Sequence, residues 1–312
     1  MSILAATEAL ATQSQPPHRS SVSRAFVLRF APHLGIVPGG DGLFSRTAGA
    51  DPVDQIKFSH DHGFEAIEDN FLQMRPPAVQ RNIGQALRER DMTMGCFLGV
   101  TTHDRPTFGL DDSGMTALLD AELEQALATA DRVDGKNLTI IPGRVDPRRP
   151  REFQLQCAIQ NFRQLAQVAE EAGVVLLIEA IGKKRWHDIL ISDVKDAYAI
   201  CKAVNSPSVK VLFDVFQCQC ESGDLIDNLD LCWDEIGCIQ IADNPGRCEP
   251  GTGEINFGNI LTHIKQRGWS GLVEMEHGIA TPSLAGEMKV IDIYCELSEF
   301  VADAATDGAT AR

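Results

Sequence analysis

Eight short apolar runs recur along this chain, separated by polar turns and amphipathic stretches, and this alternation limits the fold more than any other feature. The runs are LRFAPHLGI from Leu28, FEAIED from Phe64, MTMGCFLGV from Met92 and LTIIPG from Leu138. VVLLIEAI from Val174, VKVLFDVF from Val209, CIQIAD from Cys238 and GLVEMEH from Gly271 follow. Continuous apolar and β-branched runs of this length, bounded by turns, read as parallel strands buried on both faces.

Helical patterns lie between them. Asp51-Pro52 opens one that carries Val53, Ile56 and Phe58, and Gly63 closes it. From Phe153 to Ala172, Leu155, Ile159, Phe162, Leu165, Val168 and Ala169 keep a helical stripe that Gly173 ends. Asp193 caps a helix through Ala203, and Ile255–Gln266 and Leu284–Phe300 supply two more. Strands alternating with helices give a closed barrel or a doubly wound sheet. No GxGxxG turn follows any run, so a dinucleotide-binding sheet lacks its phosphate turn. The expectation is α/β: a single (β/α)8 TIM barrel over residues 25–303, with an N-terminal tail and an extended C-terminal helix. Residues 1–24 are expected to be a mobile tail and 304–312 a disordered one.

Of the 312 residues, 44% are hydrophobic and 23% charged, enough for one large core. A formal charge of −16 argues against nucleic acid and anionic membranes, which clustered Lys and Arg would hold. No run approaches the roughly 18 apolar residues of a membrane span. The first 24 residues lack the basic and apolar regions of a signal peptide, so a cytoplasmic location is expected. Nine scattered cysteines form no CxxC pair, and Cys218 and Cys220 form a CxC beside a strand end. They read as free thiols in a reducing compartment rather than a zinc site.

In a barrel the chemistry sits at the C-terminal ends of the strands. Run five ends in Glu179, run six in Asp214, run seven carries Gln240 and run eight Glu276. Each is about one βα unit, roughly 30 residues, from the last. Carboxylate and amide oxygens in register suit a hard divalent ion, Mg2+ or Mn2+, and a mixed-ligand site also admits Zn2+ or Co2+. Taken singly, such an acid serves equally well as a helix cap or a partner for a surface Arg. Glu274 and Glu276 share a strand face, and Glu276 lies nearer the mouth. His33 and His187 are candidates to polarise a substrate, although a lone His is more often structural. Trp186 is a candidate pocket wall.

Residues 240–255 form a polar loop with three glycines and two prolines. Such a loop at a barrel mouth is a natural substrate clamp. Arg247 suits a substrate carboxylate, and Glu254 caps the next helix or contacts substrate.

QIADNPGRCEPGTGEINF, from Gln240, closely resembles the loop of hydroxypyruvate isomerases within the xylose-isomerase-like barrels. FAPHLGI, GFEAIEDN, the LIE of run five, VLFDVFQCQ and MEHG fall in that family's order, from Phe26 to Phe300. The resemblance implies a metal on Glu179, Asp214, Gln240 and Glu276, with Glu179 and Glu276 as the proton-transfer pair. It implies conversion of hydroxypyruvate to tartronate semialdehyde through a cis-enediolate. Arg247 and His187 would hold the substrate's far end. Relatives carry His where this chain has Gln217, which leaves only neutral hydrogen bonds there. The Lys183-Lys184-Arg185 run suggests a larger or more acidic substrate.

Three alternatives remain. A ketose 3-epimerase or a related sugar isomerase or lyase would use the same residues. An endonuclease barrel would need a histidine-rich zinc cluster and a basic groove, which eight histidines and this charge do not supply. A non-catalytic barrel subunit would first lose site residues, as at Gln217. Val290, Ile291, Ile293, Leu297 and Phe300 in the last helix can pack on the barrel or on another copy in a homo-oligomer.

Overall fold

The computed structural model describes residues 26–310, so the tail expected over 1–24 lies outside the described residues. Nine strand segments are β1 (Arg29–Pro32), β2 (Ala66–Ile67), β3 (Thr93–Met94), β4 (Phe97–Leu98) and β5 (Asn137–Ile140), then β6 (Val175–Glu179), β7 (Val209–Asp214), β8 (Ile236–Gln240) and β9 (Leu272–Met275). All pairings between them are parallel, in the order β1-β9-β8-β7-β6-β5-β4, with β2-β3 as a separate pair. The third apolar run is split into β3 and β4 around Gly95-Cys96, which gives nine segments in eight strand positions. A bridge between His33 and Glu68 joins β1 to β2, and the Gly95 N–H donates to the Ile67 carbonyl at 2.7 Å. Backbone hydrogen bonds therefore run round the whole ring.

The break at Gly95 has a steric cause. A Cβ there would stand 2.4 Å from Glu274 Oε1 and 3.1 Å from the Ile67 carbonyl. A glycine lets the strand pass over a buried carboxylate.

The helices follow the expected signals. Asp51 caps Pro52–Asp61 by accepting from the Val53 N–H. Arg151–Ala172 ends at Gly173 in the left-handed conformation, and Asp193 caps Val194–Val204. The last helix spans Leu284–Thr310, so the tail expected to be disordered from 304 is helical as far as Thr310. Its Val290 and Ile291 are buried and Leu297 packs against the same core. Phe300 is half exposed and lies over Gly258, where a Cβ would come within 2.9 Å of its ring.

Two apolar layers result from strand alternation. Leu176, Ile178, Val211, Phe213, Ile239 and Val273 face the helices in the main core. Ala31, Ala66, Cys96, Leu177, Leu212, Cys238 and Leu272 form a second cluster. Its members alternate with the first set along each strand, so they fill the barrel interior as a packed layer. Stepping two residues onward from this layer leads to Leu98 and to His33, Glu68, Glu179, Asp214, Gln240 and Glu274, which places the polar side chains above it.

Candidate active site

Glu179, Asp214 and Glu276 converge at the top of this interior, with ligand oxygens within 4.8 Å of one another. All three are buried. Asp214 ends β7 and caps the short helix Val215–Glu221, its Oδ1 accepting from the Phe216 N–H at 2.8 Å and the Gln217 N–H at 3.2 Å. Glu276 lies one residue beyond β9, and its Oε1 accepts from Asn70 Nδ2 at 2.7 Å. Arg247 reaches in from the long loop, donating to Asp214 Oδ2 at 3.2 Å and to Glu276 Oε2. No donor among the described residues is recorded on the Glu179 carboxylate.

Burial, then repulsion from Glu276 and Asp214, push the Glu179 carboxyl well above its ordinary range. Asp214 is pushed up to about 7 by burial, with Arg247 opposing the rise. Arg247 is held above its usual value, because Glu276, Asp214 and Glu179 outweigh its own burial. Arg247 pairs with two of these three buried acids, so the site holds more carboxyl groups than its own cation can match.

Gln240 sits one step away. Its Nε2 donates to Glu68 Oε1 at 3.2 Å and to Glu274 Oε2 at 3.1 Å, while Glu274 Oε1 accepts from the Cys96 N–H at 2.6 Å. This fixes the amide and leaves Gln240 Oε1 buried without a hydrogen-bond partner. An orphaned buried acceptor beside an acidic triad fits a hard cation, with Glu179, Asp214, Gln240 and Glu276 as the donors. Burial, and after it the charges of Glu274 and Glu276, raise Glu68 well above a usual carboxyl. The sequence reading missed Glu68 and Asn70. Their place in GFEAIEDN, two residues apart on the interior face of run two, was the available signal.

The 240–255 loop is organised by a buried acid. Asp243 Oδ1 accepts from the Asn244 N–H at 2.9 Å and the Ile255 N–H at 3.1 Å. Its Oδ2 accepts from Gly251 at 2.9 Å and Gly253 at 2.8 Å. Gly253 is required because a Cβ would stand 2.0 Å from the Asn244 carbonyl oxygen. Arg247, at a left-handed φ of 51°, projects from the loop thus fixed.

The other expected substrate contacts divide. Gln217 lines the cavity above the acids, its Oε1 accepts from the Gly182 N–H at 3.1 Å, and its Nε2 is a buried donor with no partner. His33 is buried instead, its Nε2 bonded to the His277 carbonyl at 3.0 Å. Burial, then the charge of His277, lower it to about 3. Such a ring stays neutral and structural. His187 is exposed, whereas Trp186 before it lines the cavity. Glu254 is exposed outside the cavity and ties the loop down, accepting from Gln219 and Asn244. Lys183 pairs with Glu221 at 3.0 Å, and Arg144 pairs with Asp188. Lys183 is thus matched, whereas Arg185 of the same basic run lines the cavity.

Above the acids a cavity of about 480 Å³ opens, with Glu179, Gln217, Arg247 and Glu276 in its lining. The sequence profile of the xylose isomerase-like TIM barrels matches residues 56–292. The chain belongs to this family. Among xylose isomerase-like relatives, the 2-oxo-tetronate isomerase of Pectobacterium atrosepticum is 26% identical over 231 residues, covering 72% of this chain and 86% of that protein. The hydroxypyruvate isomerase of Escherichia coli is 31% identical over 136 residues, 44% of this chain and 52% of that one. In three dimensions, an AP endonuclease, family 2, from Brucella melitensis superposes with a TM-score of 0.71 at 22% identity, over 83% of this chain and 96% of that one. A 3-keto-D-glucoside 4-epimerase from E. coli gives 0.68 at 18% identity, over 88% of this chain and 99% of that one. The structural likenesses speak for the shared barrel. Both curated relatives carry isomerase names.

No helix of the described residues is long and apolar enough to cross a membrane. All nine cysteines are free thiols, with only Cys220 and Cys248 partly exposed.

Proposed function

We propose that this barrel is a divalent-metal-dependent isomerase that shifts a proton between adjacent carbons of a hydroxy-carbonyl compound. The observation that carries the reading is the convergence of Glu179, Asp214 and Glu276 at the base of the cavity. The unpartnered Gln240 Oε1 supports it as a fourth donor. Mg2+ or Mn2+ suits four oxygen donors best. A bound ion would polarise the substrate's carbonyl and neighbouring hydroxyl, acidifying the C–H between them.

The chain's own groups carry the rest. One of Glu179 and Glu276 takes the proton from carbon, and the other returns a proton to the neighbouring carbon. The pair is in unlike settings, Glu276 held by Asn70 and Arg247 and Glu179 buried without such donors, its carboxyl pushed above the ordinary range by burial. That difference suits one to accept and one to donate. Gln217 offers its free Nε2 to a substrate oxygen. Arg247 orients Glu276, neutralises part of the site and lines the cavity, where it stands beside any substrate carboxylate. The packed barrel layer below closes the site to water from beneath.

Hydroxypyruvate and 2-oxo-tetronate are the first substrates to try, since relatives carry those names. Purified protein should retain near-stoichiometric divalent metal by elemental analysis. Chelation should abolish isomerisation, and Mn2+ or Mg2+ should restore it. Full activity in thoroughly metal-depleted protein would remove the metal from the reading. Bound metal with no turnover of either acid would discard those substrates and send the search to ketoses, where the 3-epimerase chemistry uses the same residues.

A further inference from the structure

The cavity has room, and apolar surface, beyond what a three- or four-carbon acid fills. About 480 Å³ falls in the range of roughly 300–1,000 Å³ that encloses drug-sized ligands. Its lining is mixed. Glu179, Gln217, Arg247 and Glu276 come from the ends of β6 to β9, and Phe71, Leu98, Ile141 and Ile181 form an apolar patch after β2, β4, β5 and β6, beside polar neighbours such as Gln73, His103 and Arg185.

Those apolar residues form a cluster separate from the main core. Leu98, Ile141, Ile181 and Ile189 are buried, and Phe71 and Trp186 pack against them partly exposed. Trp186 is in ring contact at 5.2 Å with His103, which also lines the cavity, and the Arg144 guanidinium lies 4.7 Å from its ring. At the rim, Val37 and Met74 are 50% and 65% exposed, two of the few large apolar side chains left to solvent. An apolar rim leading to an apolar wall, with an acidic base on one side, is arranged for a ligand of two unlike ends.

We propose that the substrate carries an apolar, ring-sized substituent beyond its hydroxy-carbonyl head, lodged against Phe71, Ile141, Ile181 and Trp186. The nature of the head rests on the isomerase reading above. The substituent rests on the apolar half of the cavity alone. With a hydroxymethyl ketone, the C1 proton moves to C2 and the O1 proton to O2, giving a 2-hydroxyaldehyde with atoms balanced.

The test compares 1-hydroxypropan-2-one with 1-hydroxy-3-phenylpropan-2-one, the same head without and with a ring. Dissociation constants come from calorimetry on the full chain with Mn2+ present. Solvent exchange at C1 in D2O, followed by NMR, reports the proton chemistry separately. The phenyl compound should bind at least about tenfold tighter, a conservative share of what burial of a ring contributes. Met74→Asp, at an exposed position where folding is not at stake, and Trp186→Ala should each cut that ratio by about threefold or more. Affinities within about twofold of each other, or a ratio untouched by both substitutions, would overturn the apolar compartment. Tighter phenyl binding with no C1 exchange in either ketone would keep the compartment and sink the isomerase reading. Exchange with both ketones at equal affinity would do the reverse.

Discussion

Replacing Asp243 by Asn tests how the mouth of the barrel is held. The carboxylate takes four backbone N–H groups, two on each oxygen, from Asn244, Ile255, Gly251 and Gly253. Asparagine is nearly isosteric, but one oxygen becomes an NH2 group that faces two donors. Whichever way the amide turns, two bonds are lost. A buried N–H left without an acceptor costs about 1–3 kcal/mol. Gly251 and Gly253 lie on the exposed part of the loop, where water can replace the lost acceptor. The amide therefore turns its nitrogen toward them, and the loss should be about 2–4 kcal/mol, near the low end. It falls on the loop more than on the barrel, because of the four donors only Ile255 belongs to the core. Hydrogen exchange should show faster amide exchange at Gly251 and Gly253 by tenfold or more, since about 1.4 kcal/mol is a factor of ten. Arg247 loses its fixed approach to Asp214 and Glu276, so turnover should fall as well. Unchanged protection at both glycines, with a stability loss under about 0.5 kcal/mol, would refute the assignment of Asp243 as the organiser of this loop.

Glu179→Gln and Glu276→Gln should each lower turnover by about 10²–10⁴-fold with the fold intact by circular dichroism, and near-normal activity in either would remove the two-glutamate shuttle. Gly253→Ala should destabilise by about 1–3 kcal/mol in denaturant melts, because its Cβ would stand 2.0 Å from the Asn244 oxygen; an unshifted midpoint would show that the loop has slack. His33 at about 3 and His277 at about 4 are buried neutral, both lowered chiefly by burial. Unfolding raises each toward 6.5, so the unfolded chain binds more protons below that pH. Their stabilisation is complete above pH 6.5 and fades as pH falls toward the folded values, by about 1.4 kcal/mol per unit per histidine. A His33→Gln chain should show a shallower loss between pH 6.5 and 5 than the parent, and identical slopes would contradict the burial argument.

The alternation of apolar runs and helical stripes was legible in the sequence because both periods are local. So were the cap at Asp51, the cap at Asp193 and the stop at Gly173, each set by one residue's own backbone preference. The acids at the ends of runs five, six and eight were also visible, since a buried strand that ends in a carboxylate is an anomaly in one dimension. Contacts across the ring were not. Nothing local joins Gln240 to Glu68 or Asn70 to Glu276, which are 172 and 206 residues apart in the chain. His33 read as a candidate to polarise a substrate or as a structural ring, and the fold places it as a buried one, because its environment comes from His277 across the β1–β9 pairing.

Arg247 shows the same division. Its presence in a polar loop was apparent, but its partners were fixed by Asp243 folding that loop back over the strand ends. Size and polarity of the cavity came only with closure of the barrel, which sets Phe71, Leu98 and Ile141 opposite the acids. The sequence alone determined which strands and helices form and which strand ends carry charge, because short-range sterics and burial period decide those. Tertiary structure alone decided which charges meet, which amide is pinned and what shape of ligand fits, because those depend on distances between residues that only the closed ring brings together.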